Sequence, residues 1–341
     1  MVTTIKDIAQ AAGVSVATVS RVLNRKQGMS GETRERVLKT ARLLNYHTNL
    51  RARGLVKKGA DIIEIIIPRT SEFAFSNPYY SEILKGIAKK ARESGKYLLF
   101  SFSAQESYAT LYQHGLSAGI IVLANRTDDH WIEEARKMKI PMVLIPGYPD
   151  GKYLPSVDWD NIDGAFKAVN YLVEVGHRRI GFLTGLPNSK YSIERLQGYR
   201  RVLEKSHIDF REELIIEMNF TQDGGYEGMK RLLSISELPT AVLVINDYSA
   251  VGALRAVKQA GYRVPEDFSI VSFGDTILAS MTDPALTTVR EPYQELGYEA
   301  TTMLIRLING RRLAKRHVVF PVELIVRKST CPFVAKSETS A

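Results

Sequence analysis

Ile5, Ile8, Ala9 and Ala12 recur at helical spacing, and Gly13-Val14-Ser15 then ends the run. Ser15 is suited to cap a second helix over Val16–Leu23, with Val19, Val22 and Leu23 turned inward. A polar stretch from Arg25 to Gly31 leads to a third helical pattern near Glu32–Leu44, where Val37, Leu38, Ala41 and Leu44 share a face. Two short helices across a tight Gly turn, with a third in support, predict an all-α helix-turn-helix unit. Residues 47–59 carry His47, Arg51, Arg53, Lys57 and Lys58 with little core material, which reads as a linker.

From Ile62 onward the pattern changes to β-rich apolar runs alternating with helices. Strands are predicted at Ile62–Ile67, Tyr97–Phe102, Gly119–Leu123, Met142–Ile145, Arg179–Thr184, Ala241–Ile245 and Ser269–Phe273. Helices are predicted between them, among them Ser81–Ser94, Asp163–Val175, Ile193–Lys205 and Ser249–Ala260. Such alternation predicts parallel sheets covered on both faces. The run of about 230 residues is more than one sheet takes, so two doubly wound α/β lobes facing a cleft are expected, with ligand at the C-terminal strand ends. Glu64, set among isoleucines, must be at an edge, paired, or functional.

Charge sharpens the division. Residues 1–60 hold 12 Lys and Arg against 3 Asp and Glu, so the whole net charge of +9 sits there and the rest of the chain is neutral. A segregated cationic head points to nucleic acid rather than to a generally basic surface. No apolar run reaches the roughly 18 residues of a membrane span, and Met1–Thr4 leads into an amphipathic helix rather than a signal-peptide core. With Cys331 as the single cysteine, a reducing cytoplasm is the expected compartment and no membrane partner is expected. No HExxH, G-x-S-x-G, P-loop or Cys/His metal set occurs, so neither catalysis nor a cofactor or metal is expected.

The stretch Thr4-Ile5-Lys6-Asp7-Ile8-Ala9, followed by Ala12-Gly13-Val14-Ser15-Val16-Ala17-Thr18-Val19-Ser20-Arg21-Val22-Leu23-Asn24, closely resembles the DNA-binding head of the LacI/GalR family of bacterial repressors. The resemblance continues to about Thr330. On the outward face of the second helix, Arg21 can donate twice to guanine in the major groove, while Val16 and Ala17 offer apolar contact to thymine methyls. Thr4, Ser15, Thr18, Ser20, Asn24, Ser30 and Thr33 are short donors suited to phosphate oxygens, or else caps and solvated hydroxyls. Tyr46-x-x-Asn49-x-x-Ala52-x-x-Leu55 matches the family's hinge, which implies a phosphate role for Asn49 and a minor-groove wedge for Leu55. Thr48 in place of a proline and Gly54 inside the expected hinge helix depart from the family pattern.

The body resembles the family's effector-binding core, itself similar to periplasmic sugar-binding proteins. That implies a head over residues 1–46, a hinge over 47–59, a core over 60–330 and a tail over 331–341. The first lobe is expected at about 60–161 and 292–320, the second at about 162–291 and 321–330. Phe73-Ala74-Phe75-Ser76-Asn77-Pro78-Tyr79-Tyr80 falls where the first effector loop lies and looks most like the maltose-type regulators. Phe73, Phe75 and Tyr79 either stack on sugar or pack their own lobe, and Asn77 can serve a hydroxyl. By the same resemblance Asp160 lies at a cleft rim and Arg195 grips effector hydroxyls or carboxylate. Asn246 and Asp247 follow a strand end, where Asp247 either meets ligand or caps the next helix. Gly274 replaces the first aspartate of a frequent aromatic-Asp-Asp, leaving Asp275. Residues Ser103–Ala118 fall several short of their counterpart, so a stunted helix is expected. The implied function is a homodimeric repressor of carbohydrate genes that binds a pseudo-palindromic double-stranded operator under control of a mono- or oligosaccharide. An exported sugar receptor is opposed by the basic head, and a regulator steered by a phosphorylated partner protein by the aromatic loop.

Overall fold

A computed structural model describes residues 3–23, 28–44, 46, 61–102, 107–124, 126–147 and 154–334. The chain divides into two compact units, Met1–Ala60 and Asp61–Ala341. The first contains α1 (Ile5–Ala12), α2 (Val16–Leu23) and α3 (Gly31–Leu43). Their inner faces meet in a small core of Ile8, Ala9, Ala12, Val19, Val22, Val37 and Ala41. Each helix start is fixed locally. Asp7 takes the Thr4 amide at 2.7 Å, Ser15 Oγ accepts from the Thr18 amide, and Ser30 Oγ accepts from the Thr33 amide. Gly13, at φ 63°, ends α1 in the left-handed conformation that glycine adopts without steric cost.

The second unit holds two six-stranded sheets. The first takes β1 (Ile62–Ile67), β2 (Tyr97–Phe102), β3 (Gly119–Leu123), β4 (Met142–Ile145) and β5 (Ser156–Trp159). The second takes β6 (Ile180–Thr184), β7 (Ile215–Glu217), β8 (Ala241–Val244), β9 (Ser269–Gly274) and β10 (Thr287–Arg290). The chain then returns β11 (His317–Phe320) to the first sheet, beside β5, and β12 (Glu323–Ile325) to the second, beside β10. All pairings are parallel except β10 with β12. Three passages therefore cross between the sheets: after Trp159, after Arg290 and after Phe320.

Among the described residues ten α-helices cover the two sheets: α4 (Ser71–Ser76), α5 (Pro78–Glu93), α6 (Thr110–Gln113), α7 (His130–Lys137), α8 (Asn161–Glu174), α9 (Lys190–Lys205), α10 (Gln222–Leu233), α11 (Asp247–Gln259), α12 (Ile277–Met281) and α13 (Tyr293–Ile308), with a 3-10 turn at Glu212–Leu214. The two longest helices of the first lobe touch because Gly86 of α5 has no Cβ; one there would sit 1.9 Å from the Gln294 carbonyl oxygen. The predicted stunting is visible in α6, a single turn of four residues. Glu64 is the one carboxylate on β1 and is buried, accepting from Ser101 Oγ at 2.6 Å. Burial raises its pKa above the ordinary carboxylate range. Among the described residues, no helix is long and apolar enough to cross a membrane.

Candidate functional site

In the head, Val16, Ala17 and Arg21 are exposed and share one face of α2, opposite the buried Val19 and Val22. Val16 keeps 43% of its surface in water and is free to meet a partner from outside. The spacing i, i+1, i+5 places an apolar pair beside a guanidinium, the set that can read a thymine methyl and a guanine edge. The short hydroxyls surround this face but already carry local duties. Thr4 donates to Asp7, Ser15 and Thr18 bond each other at 2.9 Å, and Ser30 donates to Thr33 at 2.8 Å. These five oxygens keep acceptor capacity, while three of their protons are spent within the head. Ser20 is half-buried on the same helix. Asn24, Asn49 and Leu55 lie outside the described residues.

In the body, a crevice opens where β1, β3, β5, β6, β8 and β10 end, at the C-terminal edges of both sheets, as open parallel sheets favour. The first lobe contributes Arg69, Phe73, Asn77, Tyr79, Tyr80, Ala124, Trp159 and Tyr293; the second contributes Ser189, Tyr191, Arg195, Phe220, Ile245, Asn246 and Glu291. Seven of these are aromatic. Tyr191 stacks on Trp159 with centroids 4.9 Å apart, and Tyr79 Oη bonds Tyr191 Oη at 2.8 Å across the gap. Only about 50 Å³ remains between the walls, room for no more than a few waters.

Arg195 is the centre of this crevice. Its Nε donates to Asn161 Oδ1 at 3.0 Å, its Nη1 to the Ile245 carbonyl and its Nη2 to Glu291. The guanidinium carbon sits over the Phe273 ring, 3.9 Å from its centroid. Three of the five N–H donors are thus spent on the protein, and two remain for a ligand. Glu291 also accepts from Tyr293 Oη at 2.5 Å. Burial pushes its carboxyl up to about 7 against the opposing pull of Arg195 and Tyr293. At the rim, Lys190 reaches Asp158 at 3.0 Å and Glu194 at 3.6 Å.

The crevice brings together Phe73, Asn77, Tyr79, Arg195 and Asn246 from the residues the sequence singles out, and it leaves four others outside. Phe75 is 74% exposed and packs on Phe102, because α4 turns it away from its neighbour Phe73. Asp160 caps α8, accepting from the Asp163 amide at 2.9 Å. Asp247 lies beneath the floor, accepting from Ser272, Thr288 and both the amide and hydroxyl of Thr276. Asp275 is turned to Arg290 at 2.7 Å and Arg327 at 2.5 Å. Gly274 explains this local arrangement. At φ 131° it has a conformation other residues rarely take, and a Cβ there would meet Asp247 Oδ2 at 2.9 Å and Tyr293 Oη at 3.0 Å. His177 is structural, held between Thr240, Ser269 and the Cys331 carbonyl.

Sequence reasoning passes over Arg69, Trp159, Tyr191, Phe220, Glu291 and Tyr293. Two carried a readable signal. Tyr191 lies four residues before Arg195, hence on the same helix face. Trp159 ends a strand whose next residue is a capping aspartate, which places the indole and not Asp160 at the crevice.

The family model described as bacterial regulatory proteins, lacI family, matches residues 4–49, and that of a periplasmic binding protein-like domain matches residues 169–330. The chain is 34% identical to the HTH-type transcriptional regulator DegA of Bacillus subtilis (strain 168), over 97% of this chain and 99% of that one. Among solved structures, a transcriptional regulator CelR–cellobiose complex superposes with a TM-score of 0.75 at 29% identity, covering 96% of this chain and 99% of that chain. The lac repressor dimer bound to operator and the anti-inducer ONPF superposes with a TM-score of 0.84 at 28% identity, covering 97% and 100%.

Proposed function

The chain belongs to the lacI family of bacterial regulatory proteins, and from that premise we propose that it is a sugar-responsive repressor whose operator affinity falls when ligand enters the crevice. It is a DNA-binding transcriptional regulator. The observation that carries the DNA reading is the α2 face of Val16, Ala17 and Arg21, left exposed above a buried Val19–Val22 seam. In this reading Arg21 specifies a G·C pair, the two apolar residues sense a methyl, and Thr4, Ser15, Thr18, Ser20, Ser30 and Thr33 set the register on phosphate.

The effector is a mono- or oligosaccharide, as supported by an aromatic-walled crevice in which the amide nitrogens of Asn77 and Asn246, whose oxygens cap α5 and α11, and the two remaining Arg195 donors can serve hydroxyls. Two copies act together on an inverted repeat, each supplying one head. Exposed Phe75, Phe100, Ile277 and Met281 on the body support such pairing. Work on DNA places the protein in the cytoplasm, and no chemistry of turnover is assigned to it. Because the crevice is closed around its own aromatic side chains, ligand acts through the difference in its affinity for open and closed lobes.

The test is an operator titration of the full-length protein with and without a panel of mono- and disaccharides. A sugar that weakens operator binding while leaving binding to random duplex unchanged is the expected result. Operator affinity indifferent to every sugar removes the effector reading and leaves the DNA reading standing.

A further inference from the structure

Deep in the crevice Arg195 is matched by Glu291, and at the rim Lys190 is matched by Asp158 and Glu194. At its mouth two guanidinium groups are not. Arg69 follows β1 and donates to the carbonyls of Pro68 and Ala124, the latter at 2.8 Å. Arg126 follows β3 and donates to Asn188 Oδ1 at 2.5 Å. Among the described residues, neither forms an ion pair. The carboxylates of this rim have other partners: Asp128 accepts from Asn188 Nδ2 at 3.1 Å, and Asp129 accepts from Tyr108 Oη at 2.7 Å and the Trp131 amide. Burial, and then the neighbouring Arg69 charge, push Arg126 down to about 10 against the pull of the Asp128 carboxylate, so it remains protonated at neutral pH, and Asp129 feels the Arg69 charge without an ion-pair contact.

Across the gap lies the start of α9. The Thr127 amide bonds the Asn188 carbonyl at 3.0 Å, which sets the two arginines against that helix end. Ser189, the N-cap, makes no side-chain cap bond over the 16-residue helix and lines the crevice. The positive end of the helix and its first-turn amides therefore face the same place as two guanidinium groups that have no ion-pair contact among the described residues. Three sources of positive potential converge beside a wall of aromatic rings.

We propose that Arg69, Arg126 and the first turn of α9 form a phosphoryl subsite, and that the effector is a phosphorylated sugar whose ring lies against Tyr79, Trp159 and Tyr191. This rests on reading the crevice as the effector site, and it names the ligand class. Planar forks suit a phosphate's oxygens, and a helix N-terminus receives the same group. A dianion placed here takes over the Asn188 contact of Arg126 and relieves the repulsion between the two arginines. Since the arginines belong to the first lobe and α9 to the second, such a ligand bridges the lobes and stabilises their closure.

Binding is followed in the full-length protein by tryptophan fluorescence, Trp159 being in the wall, and by thermal shift. The probes are glucose and glucose 6-phosphate, maltose and maltose 6′-phosphate, and inorganic phosphate. The phosphorylated member of a pair is expected to bind tighter than its parent sugar by roughly tenfold or more, as a lost charge-assisted contact would give. Arg126→Gln and Arg69→Gln should each shrink that ratio toward one. Circular dichroism of each variant confirms folding. Three results overturn the proposal: a parent sugar that binds as tightly as its phosphate, a preference that survives both substitutions, or no response to any phosphorylated probe. If a neutral sugar releases operator and its phosphate does not, the subsite falls while the sugar-responsive regulator stands. Loss of operator preference altogether is instead a failure of the underlying reading.

Discussion

In the head, Val16, Ala17 and Arg21 stand on the water side of a helix whose other side is buried. In the body, Arg195, Glu291 and Trp159 are themselves buried, and each is tied to elements of the fold. The contrast follows from what each region must meet. A duplex is approached from outside, so its reading residues add little to the folding of three helices. A ligand between lobes must be enclosed, so residues that touch it also hold the strand crossings together. Substitution in the head should therefore separate binding from stability, and substitution in the crevice should not.

The sharpest break in that contrast comes from Arg195→Ala. Removing it leaves Glu291 buried without its cation and strips the Ile245 carbonyl and Asn161 of their donor. Breaking a buried pair from one side costs about 3–5 kcal/mol, so urea unfolding of the body should shift by that amount. An unchanged midpoint would show that the crevice is not part of what holds the lobes.

Next in size is the pH response of Glu291. Its carboxyl rises on folding from 4.5 to about 7 because burial disfavours the charge. The native state thus binds that proton more tightly, so its contribution is full below about 4.5 and is lost as pH climbs toward about 7. Relative to Glu291→Gln, wild type should lose on the order of 3 kcal/mol across that window. Melting curves at the two ends of the window check this, and parallel loss in both proteins contradicts it.

Arg21→Ala should cost about 1–3 kcal/mol of specific operator binding and relax the preference at one symmetric G·C pair. Its melting temperature should match that of wild type, since Arg21 is exposed. Smallest is Ser30→Ala, which removes the acceptor for the Thr33 amide at the start of α3 and should loosen that helix by about 1 kcal/mol. Faster amide exchange confined to the first turn of α3 is the expected sign.

The same contrast explains what was legible beforehand. The head's helices follow from Ile8, Val19, Val22 and Val37 at helical spacing and from caps at Ser15 and Ser30, all local signals. The central strands follow from unbroken apolar runs such as Gly119–Leu123. Helix starts came out late in the reading: α5 begins at Pro78 rather than Ser81, and α9 at Lys190 rather than Ile193, because polar capping turns precede the apolar pattern. Ser156–Trp159 and Ile215–Glu217 are too short and too polar to declare themselves as strands. In the crevice, Phe73, Asn77, Tyr79 and Arg195 carried motif signals. Glu291 and Tyr293 reach the site through the second crossing between lobes, a relation between distant segments that no local spacing encodes. Asp160 and Asp247 misled because a short carboxylate satisfies nearby backbone or hydroxyl donors as readily as a ligand.

The central claim is that α2 reads sequence through Val16, Ala17 and Arg21. Selection of bound duplexes from a random-sequence pool by the full-length protein tests it most directly. The account predicts enrichment of an inverted repeat with a fixed G·C pair in each half, preferred over bulk DNA by roughly a thousandfold or more at moderate salt. A bound pool as random as the input, at any salt, would contradict it.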